Sequence, residues 1–175
     1  IVEDVRKCVT TDLKKEGNLL YLVGETAEEL GGSAVYRQYG GQGGEVPGVS
    51  PEGLKRSMDD MHAVMKKGLV ASCHDVSDGG LAIAVAEMCL GGDIGASIET
   101  EQDKWFMFSE SNTRWVVEIE PSKEREFLEG MGVPVVILGK VGGRSLEIGT
   151  GDGKASVPLK DMRDAWSGAL PKLMG

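Results

Sequence analysis

Ser72-Cys73-His74-Asp75-Val76-Ser77-Asp78-Gly79-Gly80-Leu81 joins an apolar lead-in, Leu69 to Cys73, to a run with helical spacing, Leu81, Val85 and Met88. The lead-in reads as a buried strand. The second run reads as a helix from about Asp78 to Leu90, closed by Gly91-Gly92. A strand ending at a helix start sets an imidazole, two carboxylates, a hydroxyl and two glycines beside the positive end of a helix dipole. N–H groups in a first helical turn lack intrahelical partners, so this corner suits a phosphate or a nucleotide. Two readings fit. In one, Ser77 or Asp78 caps the helix and Asp75 fixes the turn. In the other, Gly79 and Gly80 let a ligand approach the backbone, and His74 or Asp75 contacts it or its Mg2+.

Upstream, Ser50 and Pro51 open the clearest helix, with Leu54, Met58, Met61 and Met65 on one face and Gly68 as its stop. Residues 38–49 are glycine-rich and read as a surface loop. Thr26 to Leu30 reads as a helical turn that Gly31-Gly32-Ser33 ends. Val9–Leu13 and Leu19–Val23 flank Lys15-Glu16-Gly17-Asn18 and read as a β-hairpin, although 2–15 also fits a helix. Downstream, strands are expected at Ala96–Glu99, Arg114–Glu120, Val135–Val141 and Ser145–Gly149, with a helix over 122–130. A last helix, 159–170, carries a Met162, Trp166, Leu170 stripe and ends at Pro171. Such alternation predicts an α/β (α+β) fold, one mixed β-sheet covered by helices.

Length allows one domain, 1–175, with a core of its own. The chain opens on Ile1 in mid-pattern, which points to a piece of a longer protein. Its 26 glycines are about 15% of the residues, twice the usual ~7%. They sit in pairs between periodic segments and so mark tight turns. A net charge of −9 argues against nucleic-acid partners, which need a basic footprint. Backbone N–H groups bind phosphate without any lysine, so a phosphorylated small molecule remains compatible. Cys8, Cys73 and Cys89 are odd in number and form no CxxC pair. They read as reduced thiols of a cytoplasmic protein, with Cys73 and Cys89 buried. No apolar run approaches the ~18 residues of a membrane span.

Other candidate sites are weaker. Gly31-Gly32-Ser33 fits either a second phosphate loop or a plain helix C-cap. Neither Gly40–Gly44 nor Gly149–Gly153 matches a P-loop or GxGxxG, and the latter is a turn between strands. His62 is a boundary residue on its helix, and no His/Cys cluster supports a metal site. In Phe108-Ser109-Glu110-Ser111-Asn112, followed by Arg114, Glu110 and Ser111 could bond ribose hydroxyls or an amide, or simply form a solvated turn. No GxSxG nucleophile elbow is present.

Together, several of these pieces resemble the C-terminal domain of the phosphoribosylformylglycinamidine synthase family, within the AIR synthase-related superfamily. The pieces are Leu22-Val23-Gly24-Glu25, Glu29-Leu30-Gly31-Gly32-Ser33, His74-Asp75-Val76-Ser77-Asp78-Gly79-Gly80-Leu81-Ala82, Phe108-Ser109-Glu110-Ser111 with Arg114, and Ala165-Trp166 to Leu170-Pro171. They span nearly the whole chain in the family's order. The resemblance implies an ATP- and Mg2+-dependent ligase that converts formylglycinamide ribonucleotide and glutamine-derived ammonia into the amidine. It also implies that catalytic residues and most ATP and Mg2+ ligands lie on upstream domains, with a glutaminase and a small accessory subunit as partners. This chain then supports a nucleotide or phosphate site through Gly31, Gly32, Ser33, His74, Asp75, Ser77, Asp78, Gly79 and Gly80. In the family's first domain pair a Ser-Glu-Ser-Gln motif contacts substrate. Here position 112 is Asn and the motif falls in the copy tied to a mostly structural nucleotide site, which counts against a substrate role for Glu110 and Ser111. The alternatives are a purely structural docking module, or a related member of the aminoimidazole ribonucleotide synthase or thiamine-phosphate kinase type.

Overall fold

Leu19-Leu20-Tyr21-Leu22-Val23 is buried at all five positions, as only a strand in mid-sheet with both faces covered can be. The computed structural model describes residues 4–174. Its strands and helices are β1 (Leu19–Val23), α1 (Ala34–Tyr39), α2 (Pro51–Lys66), β2 (Val70–Asp75), α3 (Gly80–Gly92), β3 (Ala96–Glu99), β4 (Trp115–Ile119), α4 (Glu124–Glu129), β5 (Val135–Val141), β6 (Ser145–Thr150), β7 (Gly153–Pro158) and α5 (Leu159–Met174). The sheet order is β2-β4-β1-β5-β3-β6-β7. Among the described residues, only the β3–β6 pair is parallel and the other pairs are antiparallel. The expected mixed sheet with helices is therefore the fold.

Alternation along the strands splits the core in two. Leu20, Leu22 and Val116 pack with Leu81, Val85 and Met88 of α3. Leu19, Tyr21, Val23, Val117 and Ile119 face the other way, onto Met61 and Val64 of α2 and Phe127 of α4. Each fully buried large apolar side chain contributes about 1.5–3 kcal/mol. α2 begins as its sequence dictates: Ser50 Oγ accepts from Gly53 N at 3.1 Å, and Pro51 fills the first turn.

Five expectations need correction. Val9–Leu13 forms no strand, because β1 already pairs with β4 on one side and β5 on the other. Nor is it helical: only Val5–Lys7 makes a 3-10 turn, and residues 2 and 3 of the alternative helix lie outside the described residues. Thr26–Leu30 is not helical, since side chains of the 109–111 segment take up its backbone groups. Gly31-Gly32-Ser33 therefore ends nothing; Ser33 opens α1, its Oγ accepting from Tyr36 N at 3.3 Å. α3 includes Gly91-Gly92 as its last residues, with left-handed Asp93 as its cap; the Asp12–Leu13 backbone crosses at the two glycines and leaves no room for a Cβ. Finally, α5 continues past Pro171 to Met174, and along its stripe Trp166 is 66% and Leu170 69% exposed. Pro171 costs a hydrogen bond only in the last turns, where few remain to lose.

Two elements, α1 and a 3-10 turn over Lys104–Phe108, were not expected, whereas β7 is the strand that the Gly149–Gly153 turn required on its far side. β7 is exposed throughout, so no apolar alternation announces it. Cys89 is buried, Cys73 half-buried and Cys8 exposed; all three are free thiols, and His62 is exposed. Among the described residues, no helix is long and apolar enough to cross a membrane.

Candidate functional site

β2 carries the chain to Asp75 at the sheet edge, and α3 starts at Gly80. Between them Gly80 N donates to Ser77 O at 3.0 Å, closing a four-residue turn. Gly79, with φ 82° and ψ −1°, holds the third position of a type II turn. Gly80 is also left-handed, with φ 70°. No side chain caps α3, so neither Ser77 nor Asp78 has the expected cap role. The glycines are required by contact as well. A Cβ on Gly80 would lie 2.6 Å from Ser109 O, and one on Gly79 would strike Ile83.

The two glycine loops meet on one atom. Glu110 Oε1 accepts from Gly79 N at 2.8 Å and from Ala34 N at 2.7 Å, the residue after Ser33. A carboxylate of the chain itself thus sits where two helices begin, as the orphan N–H groups there favour. The Asp78–Gly79 peptide is trans, so with its N–H on Glu110 the Asp78 carbonyl points the opposite way. A second link is electrostatic: Arg37 donates to Gly32 O at 2.7 Å and lies 3.9 Å from Asp78.

Glu110 stands on a fixed platform. Ser109 Oγ donates to Ala27 O at 2.7 Å, and Ala27 N donates to Ser111 Oγ at 3.0 Å. The buried Arg114 guanidinium donates to Ser111 O, Thr26 Oγ1 and Ser109 O at 2.8, 2.8 and 2.6 Å. Burial pulls its pKa down to about 10 against the opposing pull of Glu29 and Glu110, so it stays charged at neutral pH. Ser109, Glu110, Ser111 and Arg114 are therefore a latch binding residues 26–34 to the sheet; Ser109, Ser111 and Arg114 are buried, while Glu110 is half-buried and stands in the wall of the neighbouring cleft.

What faces outward is Asp75, Ser77 and Asp78. The Asp75 and Asp78 side chains are 69% and 88% exposed. They line an open cleft of about 370 Å³ with Pro47, Leu54, Glu110, Asn112, Arg114 and Trp115. His74 does not join them. Its Nε2 lies 2.9 Å from Glu87 Oε2 and its Nδ1 2.7 Å from Asp75 O, so both ring nitrogens are already engaged. Gly31 is packed under the 44–45 backbone and donates to Glu45 O at 2.8 Å, whereas Gly32 has open space around it.

Sequence reasoning missed Glu118, fully buried in β4. It accepts from Lys14 N, Lys15 N, Asn18 Nδ2 and Ser72 Oγ at 2.7 to 3.0 Å. A carboxylate inside the apolar run Val116-Val117-Glu118-Ile119 was the available signal. It also missed the Tyr21 hydroxyl bond to Glu124; burial, and after it that partner, push the tyrosine pKa up to about 12.

The family model described as AIR synthase related protein, C-terminal domain, matches residues 15–151. The chain belongs to this family. Within the AIR synthase-related relatives, it is 38% identical over 184 residues to the phosphoribosylformylglycinamidine synthase subunit PurL of Thermobifida fusca, covering all of this chain and 24% of that protein. To PurL of Lactobacillus delbrueckii subsp. bulgaricus it is 31% identical, over 99% of this chain and 24% of that one. It spans about a quarter of the length of the curated relatives it matches. Among solved structures, T. maritima PurL complexed with FGAR superposes with a TM-score of 0.78 at 18% identity, over 90% of this chain and 30% of that one. The HypE–HypF complex gives 0.63 at 19%, over 85% and 55%. These solved structures share the AIR synthase-related C-terminal fold.

Proposed function

We propose that this chain is the C-terminal domain, 1–175, of a phosphoribosylformylglycinamidine synthase, the ATP-dependent ligase that amidates formylglycinamide ribonucleotide with glutamine-derived ammonia. The observation that carries the reading is likeness to PurL proteins along the full chain. T. maritima PurL has been solved with FGAR, with ATP, and in an assembly titled PurLQS. On this reading the longer protein binds a small-molecule nucleotide substrate and ATP. It works in the cytoplasm with a glutaminase subunit and a small accessory subunit, and carries its catalytic residues upstream of this chain.

The part assigned to this chain is to hold the phosphate end of a nucleotide with its Mg2+ at the corner. Exposed carboxylates of Asp75 and Asp78 suit a hard cation. Among the described residues no three ligating side chains converge, so the other ligands would come from elsewhere in the longer protein. A cation there would offset phosphate charge. The chain's own contribution is orientation: Ser77 as a hydroxyl partner, Gly79 and Gly80 as a turn without side chains, and Gly31-Gly32-Ser33 as the adjoining wall.

Asp75→Ala and Ser77→Ala in the longer protein test this. Nucleotide affinity should fall at least tenfold by calorimetry, with the thermal midpoint unchanged. Unaltered affinity in both variants would overturn the site, and appreciable ligase turnover by the 175-residue chain alone would overturn the division of labour.

A further inference from the structure

Glu110 was a candidate substrate ligand, yet both N–H groups it holds belong to its own chain. One oxygen serves both, so the separation of Gly79 N and Ala34 N is set by a single acceptor less than 3 Å from each. Its backbone is fixed on both sides, through Ser109 and Ser111 to Ala27 and through Arg114 to Thr26. Gly80 packs directly on the Met107–Ser109 backbone, so the turn rests on the same segment that carries the carboxylate. Taking Gly79 N–H inward also selects the orientation of the Asp78–Gly79 peptide. That orientation aims Asp75, Ser77 and Asp78 at the cleft. Without an acceptor there, the peptide is free to rotate toward water, and two left-handed glycines offer little resistance.

We infer that Glu110 is a positioning residue: one carboxylate oxygen, shared by Gly79 N–H and Ala34 N–H, holds the Ser77–Gly80 turn and the Gly31–Ser33 loop in one arrangement, so nucleotide affinity at the corner depends on Glu110 through the shape it imposes on these loops. The inference rests on the proposed nucleotide role of the corner. It deepens that role by naming what shapes it.

Glu110→Gln keeps a carbonyl oxygen for both donors; Glu110→Ala removes it. Mg–ADP is titrated into the longer protein in wild-type, Gln and Ala forms, with hydrogen exchange followed in peptides covering 31–36 and 77–81. Expected are a Gln variant within about threefold of wild-type affinity and an Ala variant at least tenfold weaker. Both peptides should lose protection together in the Ala variant alone. An Ala variant with wild-type affinity overturns the inference. A Gln variant as weak as Ala also overturns it, because the charge would then be acting on the ligand directly. Absence of Mg–ADP binding by the wild type would sink the proposed function instead. The exchange arm would still decide Glu110: independent behaviour of the two peptides overturns its role.

Discussion

Asn18 Nδ2 donates to Glu118 Oε1 across 2.7 Å, and the accepting carboxylate is fully buried. Three further donors, Lys14 N, Lys15 N and Ser72 Oγ, surround the same group. This is how residues 13–18 are tied to the sheet without pairing as a strand. Glu118→Ala leaves all four donors without an acceptor and should cost about 3–5 kcal/mol. Asn18→Ala removes one charged hydrogen bond and should cost about 1.5–3 kcal/mol. Urea denaturation of both variants checks the order; equal losses would contradict it.

Gly80 and Gly32 have nearly the same left-handed backbone, φ 70° and 74°, but different surroundings. A Cβ on Gly32 meets nothing, while one on Gly80 meets Ser109 O and the Phe108 carbonyl carbon within 2.8 Å. Gly32→Ala should therefore cost only the conformational penalty, about 1 kcal/mol. Gly80→Ala adds displacement of the 107–109 backbone and should cost about 3 kcal/mol. Comparing the two denaturation midpoints isolates the contact from the dihedral.

Periodicity was enough to read most of the sheet. Val135–Val141 and Ala96–Glu99 came out to the residue, because their neighbours on both sides are glycine, proline or polar turns. The sequence of α2 carries its own cap, proline and stop, so it too was legible. What failed was local pattern overridden by distant contact. Thr26–Leu30 has helical composition, but its backbone partners lie some 82 to 84 positions away, at Ser109 and Ser111. The candidate site was legible as a cluster of residue types, not as directions. Nothing in the order Ser109-Glu110-Ser111 says that the two serines are buried, that Glu110 spends one oxygen on two backbone N–H groups, or that Asp75 and Ser77 face the cleft.

Burial pushes the Cys73 and Cys89 thiols up to about 12, with the Asp75 charge adding to the effect at Cys73. At pH 8 in the folded protein, an aromatic disulfide reagent should modify the exposed Cys8 rapidly and the other two only on unfolding. Stability carries the same signature. Folded Cys73, Cys89 and Tyr21 keep their protons above the pH at which the unfolded chain releases them, near 9 for thiols and 10 for tyrosine. Their contribution is thus whole below about pH 9 and lost as pH rises toward 12. Arg114 runs the other way: its folded pKa, about 10, lies below the ordinary 12.5, so alkali relieves it. Three groups against one predict a urea midpoint that falls between pH 9 and 11, and less steeply in Tyr21→Phe. A midpoint that rises over this range would refute the balance.

Spacing in α5 puts Met162, Trp166 and Leu170 on one stripe, yet the helix is anchored only near its start. Leu159 is buried and Met162 packs on the α3 core, while Arg163 reaches Asp93 at 2.9 Å. Asp93 also receives Arg144, and these two guanidiniums hold its carboxyl below the ordinary range. Exposed pairs of this kind are screened by water, so they orient the helix more than they stabilise it. Beyond Arg163 the apolar residues Trp166, Leu170 and Leu173 are mostly exposed. Trp166→Gln in the 175-residue chain should therefore change stability by no more than about 0.5 kcal/mol. Leu159→Ala should cost about 2–5 kcal/mol by leaving a cavity under the helix start. Denaturant midpoints decide the point: a Trp166 loss matching that of Leu159 would mean the stripe is packed after all.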